Sequence, residues 1–369
     1  MKLKLMRETL LKPLQQVIGV VERKQTLPIL SNVLLSTENN QFSITGTDLE
    51  IELVGQTKFD SESVEVSRLT LPGRKLMDIC RALPEKASIE LHRDKEKIVL
   101  CSGQSRFTLS TLPVNDFPTI EKMVYHLKLT LPQYKLHRLL QRTYFSMAQQ
   151  DVRYYLNGLL LEAYPTKLRA VTTDGHRLSI NTLEIETAVE HKLQVIIPRK
   201  GVIELLRLLT ENEDFITLMI GNNHVCISAT DFTFTSKLIE GRFPDYERVI
   251  PKNHDKQITI NRDLLKKALS RTAILCNEKF KGIHFELSCG LLRILSNNPE
   301  QESAEEKIEI DYTKEKLDIG FNVDYLLDIL NVVEYGNVIL HFSDSNGSVL
   351  VTEAKNQVDS AFVVMPIRL

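Results

Sequence analysis

Three stretches of this chain repeat one another, and that recurrence restricts the fold more than any other feature. DVRYYLNGLLLEAYPTKLRAVTTDGHRLSI (151–180) has an upstream counterpart in LPILSNVLLSTENNQFSITGTDLEIEL (27–53). Ser31-Asn32 aligns with Asn157-Gly158, and Gly46-Thr47-Asp48 with Thr172-Thr173-Asp174, at an offset of 126. A third copy, KFKGIHFELSCGLLRILSNNPEQESA (279–304), places Lys281-Gly282 at the same turn. A supersecondary unit repeated in this way buries its apolar face by being built three times over.

The flanks recur in the same order. An amphipathic helical pattern precedes each copy (6–21, 132–148, 261–276) and a second one follows it (71–83, 197–209, 320–333). In the first, Leu10, Leu11, Leu14, Val17, Ile18 and Val21 form an i, i+3, i+4 stripe that packs one helix face on a core. Each repeat closes on alternating segments such as Phe232, Phe234, Ser236 and Leu238, which read as half-buried antiparallel strands. The expected fold class is therefore α+β: three repeated domains, 1–126, 127–253 and 254–369, each with two helices backed by antiparallel sheets.

Several function classes are disfavoured. No apolar run approaches the length of a membrane span, and Arg7 and Glu8 interrupt what would be the apolar core of a signal peptide, so a cytoplasmic location is expected. Five cysteines without a CxxC pair point to free thiols, and there is no HExxH, GxxxxGK[ST] or GxGxxG, so neither metal nor cofactor is expected.

Net charge is only −2, but its distribution is uneven. The six helical segments, with Glu334 just after the last, hold fifteen basic and seven acidic residues, which leaves −10 on the rest of the chain. Such a layer suits a polyanion contacted through its phosphates without sequence readout. Candidate contacts are Lys24, Arg74, Arg199 and Lys200, together with Gln149, Gln150, Tyr154 and Tyr155, where exposed tyrosines beside Arg153 could stack on a base or sugar.

TTDGHRLS (172–179) sets an acid, an imidazole and a hydroxyl close together and invites a hydrolase reading through Asp174 and His176. The first repeat argues against it: GTDLEIEL keeps the aspartate and lacks the rest. Asp48 and Asp174 read instead as turn residues whose carboxylates accept nearby backbone N–H groups. A monomeric repeat scaffold that binds proteins without DNA is a further alternative.

The most specific segments are TLPIL (26–30), GTDLE (46–50), QDVRYYLNG (150–158), TDGHRL (173–178), PRKGVIEL (198–205), GRFPDY (241–246), NNPEQE (297–302) and VMPIRL (364–369). Through them the chain resembles the bacterial DNA polymerase III β-subunit family, the sliding clamps, from Leu10 to its end. The resemblance implies a non-catalytic protein whose two copies join head to tail into a ring around double-stranded DNA. It implies partners in the clamp loader, the DNA polymerase III α subunit, and other polymerases or repair proteins that dock through short linear motifs.

By the same resemblance, the homodimer interface falls on Lys75, Arg106, Phe107 and Leu109 of the first domain and Ile274, Leu275, Glu300 and Glu302 of the third, with Glu305 and Glu306 extending the acidic run. Gln104 and Ser303 depart from the family pattern, a base and an acid being usual there, so one rim ion pair is expected to be missing. The partner groove is expected from Leu156, Thr173, Gly175, His176, Arg177, Leu178, Pro244, Arg248 and Val249, lengthened by Asn322, Tyr325 and Ser348. Its other wall would be Val363, Val364, Met365, Pro366, Ile367, Arg368 and Leu369, with the tail turning from a sheet edge at Pro366, which cannot donate to a ladder.

Overall fold

The computed structural model describes residues 2–21, 27–38, 40–58, 67–120, 124–186, 189–252, 254–334, 336–354 and 359–368. The first repeat runs β1 (Lys2–Met6), α1 (Arg7–Val17), β2 (Asn32–Glu38), β3 (Gln41–Thr47), β4 (Ile51–Lys58), β5 (Ser67–Pro72), α2 (Gly73–Ala82), β6 (Ser88–Asp94), β7 (Lys97–Ser102) and β8 (Ser105–Ser110). The second has the same order: β9 (Tyr125–Pro132), α3 (Gln133–Gln141), β10 (Gly158–Tyr164), β11 (Lys167–Thr173), β12 (Arg177–Glu184), β13 (Leu193–Pro198), α4 (Arg199–Leu208), β14 (Phe215–Gly221), β15 (His224–Ser228) and β16 (Phe232–Lys237). So does the third: β17 (Lys256–Asn261), α5 (Arg262–Thr272), β18 (Gly282–Ser288), β19 (Leu291–Asn297), β20 (Ser303–Glu309), β21 (Leu317–Asn322), α6 (Val323–Val332), β22 (Asn337–Phe342), β23 (Val349–Glu353) and β24 (Ser360–Val364).

Each repeat contributes two four-stranded antiparallel sheets, and two of the resulting joints fuse neighbours. The orders are β1-β6-β7-β8, β5-β2-β3-β4-β16-β15-β14-β9, β13-β10-β11-β12-β24-β23-β22-β17 and β20-β19-β18-β21. At one joint Phe234 faces Leu53; at the other Val363 faces Leu178. The chain divides into two compact units, Met1–Tyr134 with Ile203–Leu238, and Lys135–Val202 with Ile239–Leu369. The division follows the fused sheets, since β4 carries β16 and its neighbours into the first unit.

In the first unit, Leu10, Leu14 and Val17 of α1 are buried against β3 and β4. The approach is close: a Cβ at Gly55 would lie 2.7 Å from the Pro13 backbone. Pro13 removes one helical N–H. In the second unit, Phe285, Phe321, Phe342 and Phe362 are fully buried beneath α5 and α6, with Phe285 and Phe321 edge to face at 5.5 Å.

The repeats also match in how their helix ends are satisfied. The N–H groups of Arg7, Gln133 and Arg262 bond the carbonyls of Ala87, Asp214 and Gly336. Arg7 Nε then reaches Cys80 O (2.7 Å) and Arg262 Nε reaches Leu330 O (2.8 Å), placing a cation on orphan carbonyls at a helix C-terminus. Asn261 and Asn322 cap α5 and α6 through their side chains. The helical pattern of 132–148 stops at Gln141, and Tyr144–Ser146 forms a 3-10 turn instead. Thr143 Oγ1 there donates to Leu139 O and Leu140 O, a back-bond that favours leaving the helix.

Arg142, 1% exposed, is the largest fully buried side chain among the described residues. It pairs with Glu353 (2.5 Å) and donates to Ser360 Oγ (2.6 Å), so α3 is tied to β23 and β24. Removing one member of such a pair strands the other charge. Arg142→Ala is expected to lower stability by about 3–5 kcal/mol, whereas Arg142→Met with Glu353→Leu recovers most of that loss. Chemical denaturation of the three proteins checks this; equal midpoints for wild type and Arg142→Ala would refute it.

Candidate nucleic-acid interface and partner groove

In the TTDGHRLS turn, Asp174 Oδ1 accepts from the backbone N–H of His176 (2.9 Å) and Arg177 (3.0 Å). Asp48 does the same for Glu50 (2.9 Å) and Ile51 (2.7 Å) in the first repeat. Thr173 Oγ1 donates to Arg177 O, and Gly175 takes φ +90°, a conformation that glycine adopts at no steric cost. Ser179 is buried with its hydroxyl 2.6 Å from Ser146 Oγ, while His176 is exposed. Among the described residues the stretch holds no nucleophile–base pair, and the aspartate builds a turn.

That turn stands beside an apolar cluster. Leu156, Leu178 and Val363 are buried together with Ile180, Phe243, Tyr246 and Leu350, and Tyr155 packs against them. Val364 lies opposite Arg177 and is buried in the other core of the unit. Met365 N–H then bonds His176 O (2.8 Å), and Ile367 N–H bonds Gly320 O (2.9 Å). The tail thus leaves the sheet after Val364 and bridges to β21. It does not leave an edge, as the sequence led us to expect: β24 is paired on both sides, by β12 and β23.

Around this cluster Pro244, Arg248, Val249, Met365 and His176 are exposed, and Pro366 is half-buried. Arg177 is fully committed. It binds Asp174 (3.0 Å), Asp328 (2.5 Å) and Phe145 O (2.7 Å), and its guanidinium lies 4.4 Å from the Tyr325 ring centroid. Burial raises the Tyr325 phenol, with the charge of Asp174 adding to it. Asn322 is taken up by capping α6. Ser348 is half-buried in the turn before β23. Ile367 and Arg368 line a different cavity, of about 460 Å³, with Phe280, Gly282, Asn297 and Pro299. Leu369 lies outside the described residues. Phe243, Tyr246 and Leu350 were not singled out from sequence, although GRFPDY contains the first two.

Among the candidate phosphate contacts, Lys24 lies outside the described residues. Gln149 and Gln150 are exposed, and Tyr154 is 58% exposed, edge to face with Tyr155 at 5.8 Å. Nearby, hydrogen bonds from the Arg153 side chain and N–H hold the Asp151 carboxyl down to about 2. Arg74 donates twice to Val21 O (2.7 and 3.1 Å), and Arg199 to Met147 O (3.0 Å); Lys200 is half-buried beside it.

The basic layer counted from sequence is weaker than its sum. Lys12, Arg142 and Arg271 are paired with Asp231, Glu353 and Glu306, acids that lie outside the helices. Among the described residues, Lys75, Arg81, Lys135, Lys266 and Lys267 of the helices form no ion pair and are exposed or half-buried.

At the expected dimer surfaces, Arg106, Lys75, Glu300 and Glu302 are exposed and Phe107 half-buried, but Leu109 is buried in its own unit. Ile274 is 76% exposed and Leu275 half-buried, on a 3-10 turn after α5. Within the chain, Glu305 holds Arg293 and Lys307, and Glu306 holds Arg271. Gln104 and Ser303 are both exposed.

Among the described residues no cluster of histidine, cysteine, aspartate or glutamate could hold a metal ion, and no helix is long and apolar enough to cross a membrane. Models of the DNA polymerase III β subunit match along the chain: the N-terminal domain over 1–121, the central domain over 130–245 and the C-terminal domain over 247–368. The β sliding clamp of Pseudomonas putida is 55% identical over 363 residues, 98% of each chain, and that of Escherichia coli 48% over 369, 100% of each. A crystal structure of the DNA polymerase sliding clamp from Pseudomonas aeruginosa superposes with TM-score 0.96 at 53% identity, and one from Bartonella birtlesii bound to griselimycin with TM-score 0.95 at 35%, each covering both chains completely. With its three repeats matched in order by the three domain models, the chain belongs to the DNA polymerase III β-subunit family.

Proposed function

We propose that the chain is a processivity clamp: two copies close head to tail into a ring around duplex DNA, tether a polymerase to it, and perform no catalysis. One observation carries the ring. Within the chain, the outer strand of each repeat's first sheet pairs with the outer strand of the next repeat's second sheet, β4 with β16 and β12 with β24. The third repeat's β20 and the first repeat's β8 are the strands left over, each at the edge of a four-stranded sheet. Pairing β20 of one copy with β8 of another repeats the rule and removes both edges. A heterologous contact of this kind closes when its rotation allows, and two copies are the smallest closure. The repeats serve as domains 1–126, 127–253 and 254–369.

DNA contact is assigned to Lys24, Arg74, Gln149, Gln150, Tyr154, Tyr155, Arg199 and Lys200. The partner groove is assigned to the apolar cluster at Leu156, Leu178 and Val363 with the exposed Pro244, Val249 and Met365 around it. A relative crystallised with griselimycin supports a ligand-accepting site in the family. The occupants proposed are short linear motifs of the clamp loader, of the DNA polymerase III α subunit and of other polymerases or repair proteins.

Three outcomes are expected. Ile274→Ala with Leu275→Ala removes apolar side chains that cost about 2–5 kcal/mol each when buried, and should sediment as a folded monomer; an unchanged dimer mass would defeat the interface. Loaded protein should stay on circular DNA and slide off linear DNA, with no dependence on base composition and a steep loss of open-ring binding with salt; equal retention on both forms argues against encirclement. Deleting 365–369 should abolish binding of a peptide carrying Gln followed by Leu and Phe while the dimer persists, and calorimetry showing equal affinity would move the groove elsewhere.

A further inference from the structure

Strand β10 is buried along its length from Gly158 to Ala163, and an acid, Glu162, sits in it with no exposure at all. An isolated buried carboxylate is costly. This one is surrounded by donors: Lys192 Nζ and Gln194 Nε2 at Oε1 (2.7 Å each), and the hydroxyls of Tyr246 (2.7 Å) and Tyr164 (3.1 Å) at Oε2. Strand register brings part of the set together, since Gln194 and Arg169 flank Glu162 on the neighbouring strands. Burial pushes the carboxyl upward, but the bonds from Lys192, Tyr246 and Gln194 outweigh it and leave it below its ordinary value.

Tyr246 belongs to the segment 240–252, which carries Pro244, Arg248 and Val249. Phe243 and the Tyr246 ring anchor the segment in the apolar cluster, but apolar contact is non-directional and leaves its orientation open. Among the described residues, its polar ties to the rest of the unit are few. The Tyr246 hydroxyl donates to Glu162 and accepts from Arg169 (3.1 Å), and Glu247 lies 3.8 Å from Arg169. The other bonds of the segment, Val249 N–H to Tyr246 O and Arg248 to Asp245, stay within it.

We propose that Glu162 is a positioning residue for the partner groove: through the Tyr246 hydroxyl it fixes where Pro244, Arg248 and Val249 stand. This rests on the groove reading above. A satisfied buried polar network selects one geometry where apolar packing accepts several, and a groove wall must be in place before its ligand arrives.

Tyr246→Phe keeps the ring and removes the tie. It should weaken the Gln-Leu-Phe peptide about tenfold, because the loosened wall must be ordered when the peptide binds, with faster dissociation and unchanged dimer mass. Glu162→Gln keeps an oxygen for the hydroxyl and should bind within about threefold of wild type. In a Val249→Ala background the Tyr246→Phe loss should shrink, because both changes act on one wall. Wild-type affinity in Tyr246→Phe, or a loss that adds in full to that of Val249→Ala, overturns the proposal while the groove stands. Absence of peptide binding by wild type brings down the groove reading and this inference with it.

Discussion

An unpaired strand edge is the constraint on which this architecture turns. A sheet of four strands exposes a row of N–H and C=O groups on each side, and such a row is a template for any other strand. Here two of the joints are made inside the chain, where β4 meets β16 and β12 meets β24. The site follows from the second joint. Because β24 is the last strand, the chain emerges from it as a tail, and pairing Leu178 with Val363 delivers Met365 to the carbonyl of His176. At the first joint β16 is followed by Leu238, whose N–H turns back to Asn223, and no tail is available to form a second wall. Among the described residues, the second joint is thus the one at which a following segment bonds back across the pair, and the proposed groove lies there.

Much of this was legible in the sequence. The threefold order of helices and strands followed from apolar periodicity, because one-sided burial leaves a stripe in a helix and an alternation in a strand. The turn role of Asp48 and Asp174 followed from comparing repeats, and both carboxylates bond backbone N–H groups two and three residues on. The helix ends were less legible. A stripe that continues past Gln141 says nothing of Thr143 bonding back to Leu139 and Leu140. Phe107 and Leu109 were placed at the dimer interface only by the family resemblance, and within the chain Leu109 is buried and Phe107 half-buried.

Charge was the least legible property, for a physical reason. Counting residues assigns each base a full share of a surface field, but the partner of a guanidinium is set by tertiary proximity. Arg142 is separated by 211 positions from Glu353, Arg177 by 151 from Asp328, and Glu162 by 84 from Tyr246. No local pattern announces these pairs. Each joins separate elements: Arg142 to β23, Arg177 to α6, and Glu162 of β10 to the segment that carries Tyr246. Ionic groups in such places add less to stability than their number suggests, since desolvation offsets attraction.

The same distinction bears on how a ring could hold DNA and still move along it. Arg7, Arg74, Arg199 and Arg262 each direct guanidinium N–H groups at main-chain carbonyls, so part of each fork is occupied. Their charge remains, but the bidentate grip that arginine gives a phosphate requires those same donors. Among the described residues, Lys75, Lys135, Lys266, Lys267 and Arg81 of the helices form neither an ion pair nor a side-chain hydrogen bond. A lysine is a point charge on a flexible stem, attracted to any phosphate and fixed to none. In the ring we propose, arginines held on main-chain carbonyls and lysines without a partner would offer DNA positive charge with a weak positional preference along the duplex. Encirclement then supplies the persistence, and the lining can stay loose.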